Sequence, residues 1–70
     1  MEKIEEDTIY EDERGRLYYV EGISTEKTTK KKYVIYKEVY NLERKLYGDV
    51  EAKLLELFDM KKYEENDEKW

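Results

Sequence analysis

Carboxylates and tyrosine hydroxyls are the groups with which this chain could do chemistry. Asp and Glu together number 19 among its 70 residues and Tyr 8, whereas Cys and His are absent. Without imidazole or thiolate, the chain lacks the usual general base, the most reactive nucleophile and the ligands that zinc, copper and haem iron prefer. Its only serine, Ser24, has no histidine to activate it. We therefore predict that the chain is not an enzyme and holds no metal or cofactor.

The spacing of the other polar residues also argues against known chemical sites. Pairs of carboxylates are frequent, but at this composition they arise by chance, and a sugar-cleaving pair would need a cleft that so short a chain can hardly enclose. The glycines are too scattered for a phosphate-binding loop, and no run of alternating Asp and Asn around a glycine indicates a calcium loop. These patterns favour a binding protein.

The charge balance indicates what kind of partner to expect. The formal net charge is −5 and the isoelectric point is near 4.8, so we expect no direct contact with nucleic acid, which needs clustered Lys and Arg. A host protein with a basic DNA-binding surface fits better, because spaced carboxylates can imitate the charge of a DNA backbone. No stretch has the length and apolarity of a membrane span or a signal peptide, so we expect a cytoplasmic protein and no membrane partner.

Two β-prone runs must position these groups. The stronger is Tyr33–Tyr40 and the other is Arg16–Ile23, and both are rich in aromatic and β-branched residues. The polar stretch Ser24–Lys32 between them predicts a loop that joins two antiparallel strands. Gly22, inside the earlier run, suggests a bulge or a close backbone approach.

The C-terminal third predicts a helix. Its apolar residues recur at helical spacing, at Val50, Leu54, Leu57 and Phe58. Asp49 is a suitable N-cap, so the helix is expected from Val50 to about Lys62. A competing interpretation ends the helix early and makes Leu55–Met60 a further strand.

The predicted fold class is therefore α+β, a small two- or three-stranded antiparallel β-sheet with one C-terminal helix packed on a face. Residues 14–63 form the domain and residues 64–70 an acidic tail. Residues 1–13 are expected to be an acidic arm, either loose or with an edge strand at Thr8–Tyr10. The run Tyr33–Tyr40 has large apolar groups on both faces, and one helix covers only one of them. We therefore expect a homodimer.

The span from Tyr10 to Tyr40 contains a series of short motifs: Tyr10, Arg14-Gly15, Tyr18-Tyr19-Val20-Glu21-Gly22-Ile23, Val34-Ile35-Tyr36 and Tyr40. In these motifs it resembles a small domain family of unknown function found in bacteria and their phages. The family's later Arg-Pro pair has no counterpart, since the chain contains no proline. The resemblance implies a β-rich fold and no particular activity.

The motif Leu46-Tyr47-Gly48-Asp49, followed by Leu54-Leu55-Glu56-Leu57, is similar to the small acidic uracil-DNA glycosylase inhibitors of Bacillus phages. Those proteins are dimeric DNA mimics with a three-stranded sheet and a helix. Their Leu-Tyr-Gly segment lies near the groove that captures the enzyme's DNA-probing loop. The resemblance therefore implies that Tyr47 contacts a partner. Positions 43 and 44 depart from the family, which has an aromatic residue and an acid there.

We predict a phage-type small acidic protein that inhibits a host DNA-acting enzyme, either uracil-DNA glycosylase or a defence nuclease. The predicted partner-binding residues are Tyr40, Glu43, Tyr47, Asp49 and Glu51. One alternative is a non-inhibitory structural or regulatory interaction module, and another is a peptide binder that uses the edge of the hairpin. For any single tyrosine, a place in the core or in a cross-strand pair is the competing interpretation.

Overall fold

Five antiparallel strands form the fold of residues 4–63, the part of the chain that the computed structural model describes. The strands are β1 (Thr8–Glu11), β2 (Leu17–Thr25), β3 (Lys32–Asn41), β4 (Leu46–Leu54) and β5 (Lys61–Lys62). They lie in one sheet in the order β4-β3-β2-β1-β5. A single 3₁₀ turn at Leu55–Leu57 follows β4.

The hairpin of β2 and β3 confirms the two strands and the connecting loop that the sequence predicts. Val20 lies opposite Tyr36 and Ile23 lies opposite Val34, and the register shifts between Val20 and Gly22. This shift is the bulge that Gly22 suggested. Val20 and Gly22 pair with the adjacent residues Tyr36 and Ile35, so Glu21 is an extra residue of β2 that has no pairing partner on β3.

The predicted α+β fold with a C-terminal helix is wrong, since residues 4–63 contain no α-helix. Val50, Ala52 and Leu54 alternate at the spacing of a strand and lie opposite Lys37, Ile35 and Tyr33 of β3. Pairing there satisfies the outer backbone groups of β3. A lone helix of about 13 residues is only marginally stable in water. The competing strand at Leu55–Met60 is not observed either, because the 3₁₀ turn occupies its first half.

The acidic arm contains an ordered strand. β1 pairs with β2 on one side and with β5 on the other, so it is not at the edge of the sheet. Of the two alternatives for the arm, a loose segment or an edge strand at Thr8–Tyr10, residues 8–11 form the strand, but it lies inside the sheet. The predicted acidic tail, residues 64–70, lies outside the described residues.

One face of the sheet carries the core, and we call it the covered face. Its buried residues are Tyr10, Val20, Val34, Tyr36 and Phe58, and Ile4, Tyr18, Leu55 and Met60 pack against them. Phe58 reaches this face from the segment after the 3₁₀ turn, and its ring meets those of Tyr10 and Tyr36 edge-on. A short extended segment thus packs on the face of the sheet that the predicted helix was expected to cover.

The opposite face is apolar as well, and we call it the open face. By register its apolar and aromatic residues are Ile9, Leu17, Tyr19, Tyr33, Ile35, Val39, Tyr47, Val50, Ala52 and Leu54, and Glu11, Gly22, Ser24 and Lys37 lie on it as well. Of these, Val39 is buried, Ser24, Val50 and Ala52 are exposed and the others are intermediate. The segments of residues 4–63 that pack on the sheet contribute Ile4, Leu55, Phe58 and Met60 to the covered face.

Candidate functional site

An open groove of about 490 Å³ lies on the covered face beside the C-terminal segment, and we call it the acidic groove. Five carboxylates line it: Asp12, Glu13, Glu38, Glu51 and Asp59. Three basic side chains, Arg14, Arg16 and Lys53, also line it, and Tyr18, Tyr36 and Met60 complete the lining. The carboxylates come from four separate parts of the chain, so only the folded sheet brings them together.

Packed aromatic rings hold the tyrosines of the groove in place. Tyr18 and Tyr36 lie on neighbouring strands, with ring centroids 5.7 Å apart and planes at 80°. Tyr36 also meets Phe58 at 5.7 Å. Edge-to-face pairs of this kind each stabilise by roughly 0.5–1.5 kcal/mol beyond the area they bury. The two rings are therefore fixed by the core, while their hydroxyls point to carboxylates.

The hydroxyls of these tyrosines lie in a negative field. Tyr18 donates a hydrogen bond to Asp12 Oδ2 at 3.3 Å, and the Tyr36 hydroxyl lies 3.5 Å from Glu51 Oε1. Burial raises the pKa of Tyr18 and the charges of Asp12 and Glu38 raise it further, while a hydrogen bond with Arg16 partly opposes the rise. Burial likewise raises the pKa of Tyr36, with a further contribution from the charge of Glu51. A cation placed beside these hydroxyls would be favoured by the same field.

Asp12 organises the turn at one end of the groove. Its Oδ1 accepts hydrogen bonds from the backbone N–H groups of Arg14 and Arg16, both at 2.9 Å, as short polar side chains do in tight turns. Burial opposes ionisation of the Asp12 carboxyl, but these two bonds, with Tyr18 and Arg16, outweigh it and lower its pKa below 3.8. Asp12 is therefore both a structural residue and a lasting negative charge of the groove.

The five residues predicted to bind a partner all lie on the hairpin of β3 and β4, but the structure does not bring them onto one surface. Glu51 lines the acidic groove. Asp49 is exposed and lies on β4 between Val50 and Tyr47, which pair with Lys37 and Val39. The register shifts at this point, and Glu38 is the residue of β3 that lies there. Glu43 is exposed in the turn between the strands.

Tyr40 and Tyr47 lie in different surroundings. Tyr40 is 67% exposed, and its hydroxyl lies beside the backbone of Gly48. Tyr47 belongs to the open face, where its ring stacks on Tyr19 at 5.6 Å and Lys37 Nζ lies 4.9 Å from the ring centre. Tyr47 and Glu51 are therefore on opposite faces of the sheet, and their predicted roles cannot both be filled at the acidic groove.

Sequence reasoning missed most of the groove. It did not single out Asp12, Tyr18, Tyr36 or Glu38 as site residues. The alternation of β3 places Tyr36 and Glu38 on one face, and this signal was available. The position of Asp12 and Asp59 beside them depended on the order of the strands, which no local pattern specifies.

The tip between β2 and β3 is the basic part of the described surface. Lys27, Lys30, Lys31 and Lys32 lie there and are all exposed. A smaller groove of about 340 Å³ runs from three of these lysines to Leu54, Leu55 and Glu56. Glu26 closes the tip by accepting hydrogen bonds from Lys30 and Thr29. The tip is a solvated loop with an ordered backbone.

Comparison with known proteins leaves the site to be judged by its own geometry. No family model, no curated protein and no solved structure matches the chain. Within residues 4–63, no three carboxylates are grouped closely enough to hold a metal ion. No helix in the same residues has the length and apolarity needed to cross a membrane.

Proposed function

We propose that the chain is a small acidic protein of phage type that binds and inhibits a DNA-acting enzyme in the cytoplasm of a bacterial host. The acidic groove would receive basic side chains that normally contact DNA phosphates. In this proposal the protein acts by occupying the enzyme's DNA-binding surface.

The observation that carries the proposal is the gathering of carboxylates around two tyrosine hydroxyls. The groove presents five carboxylates against three basic groups. Within residues 4–63, Glu38 and Asp59 form no ion pair, since the salt bridges there are those of Lys37 with Glu21 and of Lys62 with Glu5. Unpaired carboxylates are available to a cationic partner, and their field would steer its approach.

The identity of the enzyme rests on a sequence motif. The motif Leu46-Tyr47-Gly48-Asp49 keeps uracil-DNA glycosylase as the first candidate, and a defence nuclease is the next. In the glycosylase inhibitors the motif accompanies a helix, whereas here it lies on β4. The charge of the groove supports a basic enzyme surface of either kind.

The test is inhibition of a purified bacterial uracil-DNA glycosylase, followed by a panel of defence nucleases. We expect the association rate to fall steeply from low to physiological salt, and DNA to compete with the chain. The double variant Glu38→Gln/Glu51→Gln should bind at least about tenfold more weakly, which corresponds to ~1.4 kcal/mol.

The matched control replaces a carboxylate outside the acidic groove. Glu56 is exposed on the 3₁₀ turn, so Glu56→Gln changes charge without touching the groove. Because the double variant removes two charges, Glu56→Gln is compared with each single variant. Equal loss in all of them would indicate a general charge effect and contradict a role for the groove. Inhibition of neither enzyme class would contradict the proposed activity.

A second candidate function is the peptide binder that uses a strand edge of the hairpin, and the free edge of β4 favours it. β4 has nine residues and, within residues 4–63, pairs on one side only, with β3. An extended peptide could add a strand there through backbone hydrogen bonds. Such binding would be nearly insensitive to salt, which separates it from the inhibitor proposal.

A further inference from the structure

The open face is a broad apolar surface on a highly charged chain, and we infer that a second copy of the same chain packs on it face to face. Charged residues make up 47% of the sequence. By contrast, ten of the fourteen residues that the register places on the open face are apolar or aromatic, and the others are Glu11, Gly22, Ser24 and Lys37. This inference does not depend on the acidic groove, because it uses the opposite side of the sheet, and it assigns Tyr47 to the contact between copies and not to the enzyme.

The charges on and around the open face are compatible with burial against an identical surface. Lys37 Nζ lies 2.7 Å from Glu21 Oε2 and also contacts the ring of Tyr47. The carboxylate of Asp7 accepts a hydrogen bond from Tyr19. A buried charge is tolerated when it is paired and hydrogen-bonded, so these groups do not bring uncompensated like charges together across a two-fold axis. Glu11 is the last residue of β1 and lies at the rim.

The size of the open face suits a dimer of small subunits. β2, β3 and β4 have nine or ten residues and β1 has four. With strands spaced by ~4.8 Å and residues rising ~3.3 Å each, they present roughly 500 Å² in projection. This is of the same order as the ~800 Å² that each partner buries in a standard protein–protein interface. Two sheets packed in this way lie ~10 Å apart and form a sandwich.

The small core gives the second copy a thermodynamic role. Six hydrophobic residues are buried in the described part of the chain, and only Val20 and Val34 are fully buried. A domain of this length gains little stability from one core alone, and association is one of the ways in which such domains are stabilised. Neither disulfides nor histidine- or cysteine-bound metals are open to this chain.

Sedimentation velocity of the full chain over a range of concentrations tests the inference. We expect a dimer that Val50→Glu dissociates, with the dimer dissociation constant raised at least tenfold. Val50 is 56% exposed and lies opposite Lys37, so the new carboxylate is tolerated in the monomer. Leu57→Glu is the matched control, because Leu57 is 58% exposed and lies off the open face on the 3₁₀ turn.

A second variant separates face-to-face packing from pairing along the edge of β4. Ile9 lies on β1, two strands away from β3, and Ile9→Thr keeps a β-branched side chain while removing apolar contact. Face-to-face packing requires that Ile9→Thr also weakens the dimer, by several-fold. A chain that stays monomeric at every concentration would overturn the inference. So would equal dissociation by Leu57→Glu, or a dimer that Ile9→Thr leaves unchanged.

Discussion

Tyrosine hydroxyls in this protein repeatedly lie beside acidic residues. Tyr18 donates to Asp12, Tyr19 donates to Asp7, and the Tyr36 hydroxyl faces Glu51. In each case the ring is packed against the sheet and the hydroxyl is directed to a carboxylate. An aromatic ring supplies contact area for few rotatable bonds, and its hydroxyl satisfies a neighbouring acceptor. The chain can therefore carry many carboxylates next to its core without burying them.

Tyr19 gives a prediction about alkaline pH. Its hydrogen bond to Asp7, with a further contribution from burial, raises its pKa to about 12. A tyrosine in the unfolded chain titrates near 10, so the folded state favours the protonated form. The stabilisation is complete below about pH 10 and is lost as the pH rises through the folded value. Titration of tyrosinate absorbance should show one group ionising near pH 12.

Two variants assign that ionisation. Tyr19→Phe should remove the late step, and Asp7→Asn should bring it to lower pH because the negative acceptor is replaced by a neutral one. If the late step persists in Tyr19→Phe, it belongs to another tyrosine and the hydrogen bond with Asp7 is not its cause.

At the level of elements, the turn between β1 and β2 restricts the residue type at Gly15 more than β4 does at Gly48. Gly15 has a φ of +87°, a backbone conformation that residues other than glycine rarely adopt. Gly48 has no positive φ, but a Cβ there would lie 2.7 Å from the Tyr40 hydroxyl. Tyr40 is exposed and can move aside.

We therefore predict that the same substitution by alanine changes the free energy of unfolding by different amounts at the two glycines. Gly15→Ala should lower the free energy of unfolding by about 1 kcal/mol, because the turn would be strained. Gly48→Ala should change it by less than about 0.5 kcal/mol, since the clash is with the hydroxyl end of the exposed Tyr40 ring. Urea denaturation of both variants measures this. A larger loss for Gly48→Ala would mean that Tyr40 is held in place.

At the scale of the whole molecule, stability depends on the short segment that covers one face of the sheet. Phe58 is 8% exposed and contacts both Tyr10 and Tyr36. Phe58→Ala should therefore cost about 3–5 kcal/mol, as for other buried aromatic residues. Leu57, its exposed neighbour, is the control, and Leu57→Ala should cost less than about 1 kcal/mol. Thermal or urea unfolding compares them, and equal losses would contradict Phe58 as the centre of the cover.

Local sequence patterns predicted some elements correctly and failed at others for a physical reason. The two runs predicted as strands, residues 16–23 and 33–40, are rich in β-branched and aromatic side chains, and the strands that form there span residues 17–25 and 32–41. Val50, Leu54, Leu57 and Phe58 fit a helical stripe, yet Val50 and Leu54 equally fit one face of a strand. The exposed edge of β3 selects the strand, because its backbone groups need partners.

The residue types of the candidate site could be predicted from the sequence, but the individual residues that form it could not. Composition indicated tyrosines and carboxylates as the binding groups, and Glu51 does line the acidic groove. Asp12 and Asp59 are 47 positions apart in the sequence and join the same groove only in the folded sheet. The partner-binding roles of the five predicted residues remain predictions.

The sequence by itself determined the charge, the absence of thiol and imidazole chemistry, and the central hairpin, because each depends on residue type or on neighbours along the chain. Only the tertiary structure decided that the C-terminal third would be strand, that β1 would lie inside the sheet, and that one apolar face would stay open. Those outcomes depend on backbone pairing between distant segments. Such pairing contributes favourable free energy only after the chain has met the entropy cost of bringing distant segments together.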